Sequence, residues 1–128
     1  MYQSLELSTP VLSGVRVLVV EDEFLIMVEL VALLEEAGAE IVGPCSSVQQ
    51  ALTVASHETL SAAVLDMRLG SELVSPVARE LSGRGVPFIF YTGQAQSDPV
   101  LAEWPDVKVV AKPAASNQII DAIVRLVR

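Results

Sequence analysis

The chain has 128 residues, of which 52% are apolar, and this length and composition fit one compact domain with a large core. Its net charge of −8 opposes binding to a nucleic-acid backbone, which proteins usually neutralise with Lys and Arg. The longest apolar stretch, residues 24–34, is too short to span a bilayer and no basic-then-apolar leader opens the chain, so we expect a cytoplasmic protein.

Apolar runs alternate with helical patterns along the chain, after a polar lead-in of residues 1–14. The apolar runs predict strands at residues 15–20, 39–43, 62–66, 86–91 and 107–111. The helical patterns predict helices at residues 23–37, from about 47, from 75 to 83–85, at 99–103 and from 116. Ser75, which precedes Pro76, and Ser116 are the expected N-caps of the third and fifth helices.

This alternation indicates βαβ units, which are right-handed and form a parallel sheet covered by helices on both faces. The continuously apolar strands agree with a parallel sheet of this kind, because its strands are buried on both sides. We therefore predict one α/β domain over residues 15–128. It would be a flavodoxin-like, doubly wound (βα)5 domain with five parallel strands in the order 2-1-3-4-5.

Polar side chains follow four of the five predicted strands, at the point where each strand ends. They are Glu21 and Asp22 after the first strand, Asp66 after the third, Thr92 after the fourth and Lys112 after the fifth. In open α/β sheets the carboxyl ends of the strands form the edge where ligands bind. Carboxylates held about 4 Å apart repel by about 4 kcal/mol per pair at an effective dielectric near 20, so this edge needs a cation. Oxygen ligands without Cys or His favour Mg²⁺ over zinc.

A carboxylate beside Mg²⁺ and an ammonium group can act as a nucleophile toward a phosphoryl group. Asp66 is the better candidate, because it stands alone at a strand end whereas Glu21 and Asp22 form a natural metal-binding pair. Thr92 could then donate its hydroxyl to a phosphoryl oxygen. Simpler interpretations stay open: Asp66 as a helix cap, the acidic run at 21–23 as favourable charge at a helix N-terminus, and Thr92 as a turn residue.

The residues at the strand ends, in this order, resemble the site of a two-component response regulator receiver domain of the single-domain type, over residues 15–128. The resemblance implies that Asp66 accepts a phosphoryl group from a partner histidine kinase or histidine phosphotransfer protein. It implies that Thr92 and Lys112 read that group and alter the binding of a downstream protein target. It also implies a Mg²⁺ site with these ligands: Glu21, Asp22, Asp66 and the backbone carbonyl of Arg68.

This resemblance implies a signalling protein that accepts and loses a phosphoryl group, not a turnover enzyme. His57 is the one histidine, so the phosphodonor histidine would belong to another protein. An alternative from another class is a pseudo-receiver, an adaptor whose protein interactions ignore phosphorylation. A flavodoxin-like cofactor binder or a phosphohydrolase is disfavoured, because no phosphate-cradling glycine-rich turn follows the first strand and no second Asp stands two residues after Asp66.

Residues 87–93 resemble the Pro-Phe-x-Phe-Ala-Thr-Gly-Tyr signature of a receiver subgroup known by the nickname FAT GUY. Tyr91 and Gln94 depart from the Ala and Tyr of that signature. Receivers typically carry a switching aromatic residue three positions before the lysine, where this chain has Val109. Arg68 and Gln94 stand where receiver side chains commonly tune water access to the phosphoryl group, so we expect them to set its lifetime.

The first helix is apolar nearly all round, with Glu29 as the one break between residues 24 and 34. A helix that packs one face on a sheet should be polar on the other, so the remaining apolar side chains suggest a second contact. In the receiver family this helix docks on the helical hairpin of the kinase, which makes Phe24, Leu25 and Val28 the candidates for partner binding. Self-association through the same surface is the rival, so we expect a monomer or a weak homodimer.

Overall fold

The computed structural model describes residues 9–93 and 99–128. Its strands are, in chain order, β1 (Arg16–Val20), β2 (Glu40–Cys45), β3 (Ala62–Leu65), β4 (Arg68–Leu69), β5 (Glu72–Leu73), β6 (Phe88–Thr92) and β7 (Val109–Ala111). Its helices are α1 (Phe24–Glu36), α2 (Val48–His57), α3 (Ser75–Gly83), α4 (Pro99–Glu103) and α5 (Ser116–Val127). Among these helices, none combines the length and the apolar character that a membrane span requires.

The main sheet has the strand order β2-β1-β3-β6-β7, and all neighbouring strands in it are parallel. Counted within this sheet alone the order is 2-1-3-4-5, so the predicted flavodoxin-like topology is confirmed. From β1 the chain passes to β2 on one side of β1, and then returns to form β3 on the other side. The strand order therefore reverses beyond the carboxyl ends of β1 and β3, which is where open α/β sheets bind ligands.

Helices cover both faces of the sheet, and β6 shows how the sequence achieves this. Phe88 and Phe90 pack into the core beneath α2 and α3, whereas Ile89 and Tyr91 pack into the core beneath α1 and α5. Side chains alternate between the faces of a strand, so a strand buried on both sides must be apolar at every position. This explains why the strands appear in the sequence as continuous apolar runs.

The strands of the main sheet differ from the predicted bounds by one or two residues at their ends, and β2 and β7 show why. β2 continues through Pro44 to Cys45, two residues beyond the predicted end, and its register with β1 shifts between Leu18 and Val20. A proline fits here because β2 lies at the edge of the sheet, where a missing backbone N–H is tolerated. β7 begins only at Val109, because the backbone N–H of Val107 donates instead to the carbonyl of Trp104, at 3.2 Å.

The predicted N-cap roles of Ser75 and Ser116 are wrong, since each serine is already the first residue of its helix. In α3 the N-cap is Val74, whose carbonyl accepts hydrogen bonds from the backbone N–H groups of Val77 and Ala78. In α5 the N-cap is Ala115. Neither N-cap residue has a side chain that can accept from the helix, but at α5 the Gln118 side chain accepts from the backbone N–H of Ala115 at 2.9 Å.

The described part of the N-terminal lead-in packs against the sheet. Leu12 is completely buried, and its backbone N–H donates to the carbonyl of Ala37 at the end of α1, at 2.9 Å. Gly38 follows with a φ of +101°, and a β-carbon there would lie 2.6 Å from the Cβ of Pro10. The helix can therefore turn into β2 under the lead-in only because this residue is glycine.

Candidate functional site

The carboxyl ends of four strands place the predicted polar residues at one edge of the sheet. The ladder continues one residue past β3, where the backbone N–H of Asp66 donates to the carbonyl of Val20 at 3.0 Å. It also continues past β7, where the N–H of Lys112 donates to the carbonyl of Thr92 at 3.0 Å. Regular strand pairing therefore fixes the backbone under each of these side chains.

Lys112 is the centre of the site. Its Nζ lies 2.9 Å from Glu21 Oε1, 2.9 Å from Asp66 Oδ2 and 3.0 Å from Glu23 Oε1, and its side chain is only 9% exposed. Burial alone would lower the pKa of the ammonium, but the hydrogen bonds to Asp66, Glu21 and Glu23 outweigh it and raise that pKa. Lys112 is therefore a permanent positive charge held among three carboxylates.

Glu21 is the most buried of the acids, with 1% of its surface exposed. Its pKa is raised to about 7, first by burial and also by the nearby charge of Asp66, against the opposing hydrogen bonds from Lys112 and from the backbone of Glu23. The backbone N–H of Glu23 donates to Glu21 Oε2 at 3.0 Å. This bond ties the site to the residue just before α1.

Three carboxylates stand close enough together to share one cation. Glu21, Asp22 and Asp66 each offer an oxygen within 4.8 Å of the others. Asp22 is exposed, and its Oδ2 accepts a hydrogen bond from the backbone N–H of Gly70 at 2.8 Å, so the turn between β4 and β5 orients it. All the atoms that these three side chains offer to a metal are hard oxygen atoms, and such ligands suit Mg²⁺ or Ca²⁺.

Asp22, Glu23 and Asp66 border an open pocket of about 260 Å³. Asp66 and Thr92 form part of its wall and are 7% and 3% exposed, and Arg68 in β4 lines the same pocket. The structure therefore brings Glu21, Asp22, Asp66, Arg68, Thr92 and Lys112 to one edge of the sheet, and their roles, including that of the Arg68 carbonyl, stay predictions. Gln94, the other residue expected to tune the phosphoryl lifetime, lies outside the described residues.

Two contacts of the site were missed by reasoning from the sequence. The sequence places Glu23 only in an acidic run at a helix start, yet its carboxylate binds Lys112. Tyr91 attracted notice only as a departure from a signature, yet its ring centroid lies 5.7 Å from Lys112 Nζ and its hydroxyl accepts from the backbone N–H of Ala114 at 3.4 Å. The one sequence feature that could have indicated the Glu23 contact is the place of this residue in the acidic run. Nothing in the sequence indicates the direction of the Tyr91 ring.

The predicted partner-binding side chains lie beside this pocket on the first turns of α1. Phe24, Leu25 and Val28 are 68%, 73% and 45% exposed. A group of exposed apolar side chains on one helix can mark an interaction surface, whereas single ones are common on any protein. The structure thus places them in solvent next to the acidic site, and their role stays a prediction.

Comparison with known proteins identifies the class. Residues 17–124 match the family model of the response regulator receiver domain, so the chain belongs to that family and is a receiver domain of two-component signalling. The transcriptional regulatory protein PdtaR of Mycobacterium tuberculosis is 29% identical over 111 residues, covering 84% of this chain and 54% of that protein. The chain thus spans about half the length of the curated relative that it matches.

Solved structures agree with the fold. A response regulator receiver protein from Sinorhizobium medicae is 27% identical, with a TM-score of 0.73 over 91% of this chain and 96% of that chain. The receiver domain of the sensor histidine kinase PA1611 from Pseudomonas aeruginosa, with a magnesium ion coordinated in its active site cleft, is 25% identical. Its TM-score is 0.79 over 90% of this chain and 98% of that chain.

Proposed function

We propose that this protein is a phosphoacceptor whose Asp66 carboxylate takes a phosphoryl group from a histidine of a partner kinase or phosphotransfer protein. One observation carries the proposal. Asp66 lines an open pocket, with its Oδ2 2.9 Å from the Lys112 ammonium and its carboxylate beside those of Glu21 and Asp22. A nucleophile, a fixed cation and a divalent-cation ligand set thus meet at the topological switch point.

The residues present fit Mg²⁺. Its ligands would be carboxylate oxygens of Glu21, Asp22 and Asp66, together with the backbone carbonyl of Arg68, and the three carboxylates already have oxygens within 4.8 Å of one another. When bound, the ion would neutralise negative charge on the phosphoryl oxygens. The magnesium in the related receiver of Pseudomonas aeruginosa supports this choice over Ca²⁺.

The chemistry follows from the positions of the side chains. An Asp66 oxygen attacks the phosphorus of a phosphohistidine, an O–P bond forms as the P–N bond breaks, and the leaving imidazole recovers its electron pair and takes a proton. Lys112 Nζ, which now bonds Asp66 Oδ2, is within reach of a phosphoryl oxygen added to that carboxylate. The Thr92 hydroxyl in the same pocket would donate to another oxygen.

The product would be an acyl phosphate on the protein itself, which makes the chain a signal carrier and not a turnover enzyme. Rearrangement of Thr92 and Lys112 around the phosphoryl group would change the surface that a downstream protein reads. The rival function is an adaptor that binds partners without regard to phosphorylation. The two differ in a single measurable property, the chemical modification of Asp66.

Acetyl phosphate with and without Mg²⁺ separates these functions. Intact-mass spectrometry should show one added phosphoryl group on the wild type with Mg²⁺ and none on Asp66→Asn, since an amide cannot form an acyl phosphate. Asp106 is an exposed aspartate that follows α4 in the chain. Asp106→Asn is therefore the matched control, and it should be modified like the wild type. Equal modification of wild type and Asp66→Asn would exclude Asp66, and no modification of any variant would favour the adaptor.

The partner surface can be tested with the same readout. We expect the triple variant F24S/L25S/V28S to accept phosphoryl groups from acetyl phosphate at the wild-type rate, because these exposed side chains do not contribute to the pocket. Transfer from a phosphorylated histidine phosphotransfer protein that reacts with the wild type should slow by about tenfold or more, as loss of central apolar interface contacts commonly costs over 1 kcal/mol. Unchanged transfer would remove this surface from the docking site.

A further inference from the structure

Tyr91 occupies an unusual position for a large side chain with a polar end. It is the residue before Thr92, near the carboxyl end of β6, and it is 8% exposed. The alternation of β6 directs it toward α1 and α5, together with Ile89, while its backbone pairs with Val110 of β7. The side chain therefore stands beneath the segment that carries Lys112.

The ring of Tyr91 contacts the ammonium of Lys112. Nζ lies 5.7 Å from the ring centroid, within the range in which a cation is attracted to an aromatic face. The other contacts of Nζ are carboxylates, and the one with Asp66 must rearrange when a phosphoryl group joins that carboxylate. The ring contact involves no reacting group, so it can limit how far the ammonium moves while its contact with Asp66 rearranges.

The hydroxyl of Tyr91 reaches the chain on the other side of Lys112. It accepts a long hydrogen bond, 3.4 Å, from the backbone N–H of Ala114, which is two residues beyond Lys112. One side chain thus contacts both the charged end of Lys112 and the backbone that follows it. A ring without a hydroxyl would keep the first contact and lose the second.

We propose that Tyr91 is a positioning residue for phosphoryl transfer, which holds the Lys112 ammonium at Asp66 through its ring and fixes the backbone after Lys112 through its hydroxyl. The effect of Tyr91 on transfer rests on the proposed function. Its two contacts, with the Lys112 ammonium and with the Ala114 backbone, belong to the unphosphorylated protein. Tyr91 itself touches no reacting atom. It acts by limiting the places that the Lys112 ammonium can occupy.

The test compares Tyr91→Phe, Tyr91→Leu and the control Ile89→Val. Ile89 lies two residues earlier on the same strand face and is fully buried, so its truncation loosens the same core without touching Lys112. The first readout is the NMR signal of the Lys112 ammonium and of the Ala114 amide in the unphosphorylated protein. The second is the rate of Asp66 phosphorylation at saturating acetyl phosphate with Mg²⁺, and urea unfolding verifies that each variant is folded.

Tyr91→Leu should move the Lys112 ammonium signal and slow phosphorylation by roughly 3- to 10-fold, the range expected for loss of a partly desolvated cation–π contact. Tyr91→Phe should leave the Lys112 signal in place and move the Ala114 amide, with a smaller loss of rate. Ile89→Val should change neither signal nor rate, even where it lowers stability.

A Lys112 signal and a transfer rate that stay at wild-type values in Tyr91→Leu would overturn the proposal. So would an Ile89→Val variant that reproduces both changes, because the effect would then come from core packing. Should the wild type accept no phosphoryl group at all, the proposed function fails, while the Lys112 and Ala114 signals still decide whether Tyr91 positions this segment.

Discussion

Replacing Lys112 with Met should destabilise the metal-free protein far more than the lost packing explains. Met keeps most of the aliphatic chain but removes the charge that now lies within 3.0 Å of Glu21, Glu23 and Asp66. Removing one partner of a buried ion pair commonly costs about 3–5 kcal/mol. The pKa of Glu21 is already about 7 and should rise further without Lys112, so proton uptake by Glu21 can relieve part of the repulsion, and we expect a loss of about 2–4 kcal/mol at pH 8.

The pH dependence has a definite sign. Without Lys112, which lowers the pKa of Glu21, that pKa should rise further in the folded variant, whereas in the unfolded chain Glu21 has its ordinary value of 4.5. A folded state that holds a proton which the unfolded state has released loses stability as the pH rises. The deficit of Lys112→Met relative to the wild type should therefore be smaller at pH 6 than at pH 8.

Urea unfolding with a metal chelator, followed by the fluorescence of the single Trp104, measures both effects. Lys108→Met is the matched control, because Lys108 lies just before β7 and is exposed. Its loss should stay within about 0.5 kcal/mol, as for most surface substitutions. The electrostatic reasoning would be refuted by equal losses in the two variants, or by a Lys112→Met deficit that does not shrink at pH 6.

Two further predictions concern the scaffold. Gly38→Ala should lose at least about 1–2 kcal/mol of unfolding free energy, because its φ is positive and a β-carbon would meet Pro10 at 2.6 Å. Gly83→Ala, where nothing lies within 4 Å of an added β-carbon, should be neutral or slightly stabilising in the same urea titration, and equal losses would contradict the structure. Cys45 is fully buried and burial raises the pKa of its thiol, so a disulfide reagent should label it only as fast as the protein opens. Labelling of the folded protein as rapid as that of the urea-unfolded chain would show that Cys45 is accessible.

The sheet and most of the site could be predicted because both follow from one regularity. Parallel strands end at the same edge, so the residues after each apolar run, such as Asp66 and Lys112, must meet whatever the details of packing. The helix starts at Ser75 and Ser116 could not be fixed this way. A serine can cap a helix, but which carbonyl accepts the first helical hydrogen bond depends on the backbone entering from the preceding loop.

The contacts around Lys112 beyond Asp66 and Glu21 show where sequence reasoning ends. Glu23 reaches Lys112 although it is exposed, and Tyr91 reaches it from a neighbouring strand. Both contacts depend on the direction of a side chain across elements that are 21 or more positions apart in the chain. Periodicity assigns a residue to a face, but it does not say which neighbour on that face the end of a long side chain will touch.

The buried Leu12 has a practical consequence for anyone who shortens this chain. The family match begins at residue 17, yet the side chain of Leu12 fills the core and its N–H secures the end of α1. A truncation guided by the family match would remove a fully buried leucine and leave a cavity beside the apolar face of the sheet. Versions meant for crystallisation or labelling should therefore start no later than Pro10, which also keeps the contact with Gly38.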